Sequence, residues 1–150
     1  MRTVDTKEYL DTVCGMLAEG NTGVPVPVAG TSMCPFLHPG DMVYLDTVTS
    51  APRKGEILLF VRRNGQYVLH RVARRNRDGS LLMLGDNQTV LEPVAGAQIR
   101  ARASYVRRGG KTVAPGSMIW WFFAGPWLWL APIRGTVGKI WRRVKTLLPS

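Results

Sequence analysis

A chain of 150 residues is long enough for one domain with a real core and too short for two comfortable ones. Its composition, 45% hydrophobic and 20% charged, excludes a disordered chain, and its two cysteines, Cys14 and Cys34, form neither a disulfide framework nor a metal-ligand pattern. The net charge of +10 is unevenly spread: residues 1–50 carry 2 basic and 6 acidic side chains, residues 51–116 carry 13 and 4, and residues 117–150 carry 5 and none. Such asymmetry calls for a polyanionic partner, either nucleic acid or an anionic membrane surface.

The N-terminal stretch MRTVDTKEYLDTV is polar and acidic, which fits neither a cleavable signal sequence nor an N-terminal anchor. Residues 4–19 predict an amphipathic helix, with Leu10, Val13, Met16 and Leu17 on one face, Asp5 and Glu8 in the first turn and Gly20 as its stop. VPVPV at 24–28 reads as extended, because each proline fixes its own φ and restricts the residue before it. Strands are expected at 42–48, 57–61, 66–74, 81–85 and 98–106. Asn64-Gly65, Asp78-Gly79 and Gly109-Gly110 mark the turns. Short strands between turn signals predict a mainly β, small barrel-like domain.

The last third changes character. From Thr112 to Ile133 no residue is charged, and this stretch holds four of the five tryptophans. Beyond it, Val137, Ile140, Trp141, Val144 and Leu148 share one helical face, with Lys139, Arg142, Arg143 and Lys145 elsewhere. Clustered tryptophan suits a membrane–water interface, and a cationic amphipathic helix suits anionic headgroups. Prolines 115, 126 and 132 keep every apolar run below the length of a straight span. The favoured reading is an interfacial or re-entrant anchor, with a kinked span and a buried hairpin as alternatives. No nucleic-acid motif competes for the basic excess.

Three segments carry chemistry: Gly30-Thr31-Ser32-Met33-Cys34-Pro35 with Gly40-Asp41 after it, Val68-Leu69-His70-Arg71-Val72, and Gly85-Asp86-Asn87 with Glu92-Pro93 beyond. A serine hydroxyl needs an adjacent base to become a nucleophile, and histidine, with an unperturbed pKa of about 6.5, suits that task. Alternation along the strand places Val68, His70 and Val72 on one face, and Tyr67, Leu69 and Arg71 on the other. Asp86 or Glu92 is available to orient the imidazole. Gly30 permits the tight reversal that presents a serine beside an oxyanion-binding N–H. His38 reads as a loop residue, Asp41 as a turn-capping carboxylate and Cys34 as a bystander.

These segments, in this order and spacing over residues 28–93, resemble the conserved boxes of the signal peptidase I family, within the wider superfamily of self-cleaving repressors and signal peptidases. GTSMCPFLHPGD is similar to the Ser-Met-x-Pro box, RKGEILLF to the second box, and VLHRV and GDNQ to the third and fourth. Histidine before Arg71, where bacterial members usually carry lysine, is similar to the endoplasmic-reticulum and archaeal branch. The resemblance implies Ser32 as nucleophile, His70 as general base and Asp86 or Glu92 as the acid. Gly30 stands where many relatives place a hydroxyl residue of the oxyanion hole, with Thr31 as its substitute. A self-cleaving repressor relative using Ser–Lys fits less well, since the nearest candidate base, Lys54, precedes a strand rather than lying within one.

The expected organisation is an N-terminal helix over 1–22, a catalytic β domain over 23–114 and a hydrophobic, cationic tail over 115–150. The expected activity is serine endopeptidase cleavage of a leader or signal peptide, without cofactor or metal. The expected partners are a peptide or precursor protein and a membrane surface, with the catalytic domain facing the cytoplasm. A catalytically silent, peptide-binding scaffold on the same fold is the alternative.

Overall fold

The computed structural model describes residues 3–134 and Arg143. Its first helix, α1 (Thr3–Ala18), buries Leu10, Val13 and Leu17. Met16, expected beside them, is 40% exposed, because α1 packs on β-strands along a narrow stripe at i, i+3 and i+7. The helix closes at Gly20, whose φ is +93°. The Asn21 N–H donates to the Met16 carbonyl and the Gly20 N–H to that of Leu17, the two bonds that satisfy a helix end of this kind.

Eight strands follow: β1 (Val24–Pro27), β2 (Met42–Asp46), β3 (Ile57–Val61), β4 (Tyr67–Arg75), β5 (Leu81–Leu84), β6 (Glu92–Val94), β7 (Ile99–Arg108) and β8 (Lys111–Val113). They form one antiparallel sheet in the order β1-β2-β7-β3-β4-β5-β6, with β8 also paired to β7. The expected barrel-like closure is absent. β1 and β6 end the sheet and do not pair with each other. β6 was not among the expected strands, since Pro93 at its centre lacks an N–H and is tolerated only at such a margin.

The hairpins turn where expected. Gly65 and Gly79 both have a φ of +87°, the left-handed region that favours glycine, and the preceding Asn64 and Asp78 side chains accept from the Gln66 and Ser80 N–H groups. Register shifts within β2–β7, β3–β7 and β4–β5 bend the sheet. At its centre β3 is buried on both faces. Ile57 and Leu59 join α1 and β2 in one apolar cluster, while Leu58 and Phe60 join Val68, Val72 and Met83 in a second.

The uncharged tryptophan-rich run folds as a helix, not as a hairpin. α2 (Met118–Phe122) is capped by the Ser117 hydroxyl, which accepts from the Trp120 N–H. The coil then widens at Phe123–Trp127, where Pro126 removes a donor, and helical backbone resumes at 128–129 and 131–134. Trp120 and Leu128 are buried, and Phe36 packs against the rings of Trp120 and Phe123. Ala124 approaches Gly55 so closely that a β-carbon there would lie 2.8 Å from the Ala124 methyl. Among the described residues no helix is long and apolar enough to cross a membrane. The expected amphipathic helix, with Val137, Ile140, Trp141, Val144 and Leu148 on one face and the cationic side chains elsewhere, lies outside the described residues apart from Arg143.

Candidate functional site

Ser32 sits on the turn that leaves β1. Gly30, at φ +80°, reverses the chain just before it. Met33, Phe36 and Leu37 pin the following turn into the core, and the Leu37 N–H donates to the Met33 carbonyl. His70 arrives from β4, 38 positions later, and its Nε2 lies 3.2 Å from the Ser32 Oγ. That is hydrogen-bond distance for a hydroxyl and an imidazole.

Burial dominates the electrostatics of this pair. His70 is 2% exposed, with Phe60 packed edge-on at 6.0 Å between ring centroids. Its pKa is pulled down to about 4, first by burial; the charge of Glu92 opposes the shift and that of Arg62 adds to it. The buried Nδ1 has no hydrogen-bond partner among the described residues. If Nε2 accepts the serine proton, Nδ1 must carry the ring hydrogen, so its N–H goes unmet at a cost of about 1–3 kcal/mol.

Both carboxylates expected to meet that nitrogen are engaged elsewhere. Asp86 is 1% exposed, and its carboxylate accepts from the Nε and Nη2 of Arg71, each at 2.9 Å. Burial pushes its carboxyl up, against the opposing pull of Arg71. Glu92 accepts from the Nε and Nη2 of Arg62, each at 2.8 Å, and this pairing holds it below the usual carboxylate range. Neither carboxylate orients His70 in this structure.

Arg71 lies on the face opposite His70, as the alternation predicts, yet it is fully buried, because Asp86 and Phe36 cover that face of β4. Its Nη1 donates to the Gly55 carbonyl at 2.8 Å. The loop carrying Asp86 also supports the serine. The Asn87 N–H donates to the Ser32 carbonyl at 2.9 Å, and the Asn87 side-chain amide to that of Thr31 at 3.3 Å. Gly85 makes this contact possible, since a β-carbon there would lie 2.5 Å from the Ser32 carbonyl oxygen.

The remaining sequence candidates fall into place around this centre. His38 is exposed in a loop. Asp41 accepts from the His38 N–H and from the guanidinium of Arg108, as a turn-capping carboxylate does. Cys14 and Cys34 are free thiols, both partly buried. Gly30 and Thr31 line a cleft of about 800 Å³ that contains Ser32 and His70. Val43, Leu45 and Leu59 give the cleft apolar walls. It lies between the outer margin of β1 and the stretch of β4 at 67–70, which β5 does not reach. Two roles had no sequence signal: Arg62 as the partner of Glu92, and Arg71 as that of Asp86. Asn87 was visible within its motif, but its grip on the serine turn was not.

This arrangement suits proton transfer from a hydroxyl to a neutral imidazole at the wall of a cleft of about 800 Å³. No curated protein matches the chain. Residues 2–104, which include α1, the serine turn, the histidine strand and the Asp86 loop, match the Peptidase S24-like family model. As that match spans more than half of the 150 residues, the chain belongs to the Peptidase S24-like family of serine peptidases.

Proposed function

We propose that this protein is a serine endopeptidase of signal-peptidase type, which cuts a leader or signal peptide with a Ser32–His70 dyad. The observation that carries this reading is the 3.2 Å approach of the Ser32 Oγ to the His70 Nε2 inside a cleft of about 800 Å³. Ser32 attacks the scissile carbonyl carbon as His70 takes the hydroxyl proton. The imidazolium returns that proton to the leaving amine, and water then hydrolyses the acyl-enzyme. We assign the Ser32 N–H, presented by the Gly30-Thr31 reversal, to the developing oxyanion. A substrate strand fits between β1 and β4, where main-chain groups give affinity and the apolar walls select side chains.

An acylating fluorophosphonate tests the chemistry. The wild-type chain should be labelled at Ser32, and Ser32→Ala and His70→Ala should not. Because His70 must be neutral to accept a proton and burial holds its pKa near 4, labelling should fall on the acid side with a midpoint near pH 4 rather than 6.5. A midpoint at 6.5 would mean that the group titrating is not desolvated as His70 is here. Absence of labelling on a folded wild-type chain would favour the silent, peptide-binding alternative, which the low basicity of His70 supports.

We also place the protein on a membrane surface. Trp121 is 65% and Trp129 78% exposed on the C-terminal helix, with Met118, Ile119 and Ile133 exposed beside them, and residues 117–150 carry five cationic and no acidic side chains. The full chain should float with vesicles rich in anionic phosphatidylserine, and Trp121→Ala/Trp129→Ala should weaken flotation about tenfold or more. Equal flotation of the wild type and the double variant would rule this face out.

A further inference from the structure

Asp86 is held from two sides. Arg71 grips its carboxylate from within. From the C-terminal helix, the Trp127 indole N–H donates to its carbonyl at 2.8 Å and the Arg134 Nη1 to the same oxygen at 2.9 Å. The Arg134 Nη2 donates to the Gln88 carbonyl at 2.8 Å, and its guanidinium lies over the Trp127 ring at 5.3 Å from the centroid. Both ends of the Asp86–Gln88 loop are therefore tied to one helix, and the residue between them, Asn87, holds the Ser32 carbonyl. That helix lies beyond residues 2–104, the stretch matched by the family.

We propose that Trp127 and Arg134 are positioning residues for Ser32, acting through the Asp86–Gln88 loop to set where the serine stands against His70. The proposal rests on Ser32 being the nucleophile. The physical case is one of leverage. The serine turn borders an open cleft, and its backbone is held from the far side by the Asn87 N–H and side-chain amide. A loop fixed only by Arg71 could pivot about that buried ion pair, whereas three further bonds to two of its carbonyls remove the pivot. The same helix also seats Ala124 against Gly55, whose carbonyl accepts from Arg71, the neighbour of His70. The helix thus supports both members of the pair, each at one remove. Displacing a reacting group by about 1 Å costs on the order of a hundredfold in rate.

The test follows fluorophosphonate labelling of Ser32 in the full chain, separating the saturating rate from the probe concentration that half-saturates it. Trp127→Phe keeps a ring to pack against Phe122 and Phe123 but loses the N–H donor and part of the face beneath Arg134; Arg134→Gln loses both of its bonds. Each should slow the saturating rate about tenfold, and the pair about a hundredfold, with the half-saturating concentration unchanged. Arg134→Lys, which keeps one donor, should recover part of the loss. A folded double variant labelled at the wild-type rate overturns the assignment, as does a loss confined to the half-saturating concentration. Should Trp127→Phe fail to fold, the partly exposed Arg134 decides through Arg134→Gln alone. An unlabelled wild-type chain would instead overturn the Ser32–His70 reading, and this assignment with it.

Discussion

Ser32→Ala and His70→Ala are each expected to cut peptide cleavage by about 10⁴-fold or more, and the double variant to lose no more than the worse single. In the proposed mechanism the hydroxyl and the imidazole, 3.2 Å apart, share one act, the hand-over of a proton, so removing either partner would remove all of it. Non-additivity is what separates this dyad from two independent contributors, whose losses would multiply. Turnover of a susceptible peptide by the four chains of the cycle is the measurement. Multiplicative losses would mean that the serine and histidine act separately. Their effects on stability should also differ: Ser32 lies at the wall of the cleft, whereas alanine at His70 leaves a void beside Phe60. Comparing rates at equal folded fraction removes that difference.

Asp86→Ala should lower the free energy of unfolding by about 3–5 kcal/mol, as breaking a buried pair usually does. Arg71 is 0% exposed and Asp86 1%, so the variant strands a guanidinium that water cannot reach. The Gly55 carbonyl and the Phe36 ring remain as its partners, but neither carries a compensating charge. A domain with only about 5–15 kcal/mol in hand feels such a loss directly. Glu92→Ala makes the contrast, because its pair with Arg62 is about one-third exposed on both sides and should be worth about 1 kcal/mol or less. Denaturant midpoints of the two variants decide the matter. If Asp86→Ala were as stable as wild type yet inactive, Asp86 would act on the reaction rather than on the fold.

Much of this molecule is legible in its residues. The turn signals Asn64-Gly65 and Asp78-Gly79 locate two hairpins, because only particular residues accept the φ those turns demand. The serine and histidine segments are legible through their order and spacing, and the fold brings Ser32 and His70 within hydrogen-bond reach of each other. What the residues conceal depends on coverage. Period-two alternation sends Arg71 to the face opposite His70, but it cannot show that this face is buried too, under a loop 15 positions away. The order of the motifs offers Asp86 or Glu92 to His70 for the same reason, but cannot show that Arg71 and Arg62 take those carboxylates. Met16 fits the helical period and still faces outward, since the stripe that α1 buries is narrower than the period permits. The C-terminal helix was obscured by Pro126, which the backbone absorbs by widening one turn rather than breaking.

Proline at both margins of the sheet bears on how the molecule behaves in a crowd. Pro25 and Pro27 in the four-residue β1, and Pro93 in the three-residue β6, interrupt the donor row along which a second sheet would grow. The Pro25 carbonyl is already taken by the Tyr9 hydroxyl at 2.8 Å, which blunts the β1 side further. Stacking of copies margin to margin, the first step toward fibres, is therefore disfavoured at both ends. The chain leaving β1 instead borders the cleft that contains Ser32.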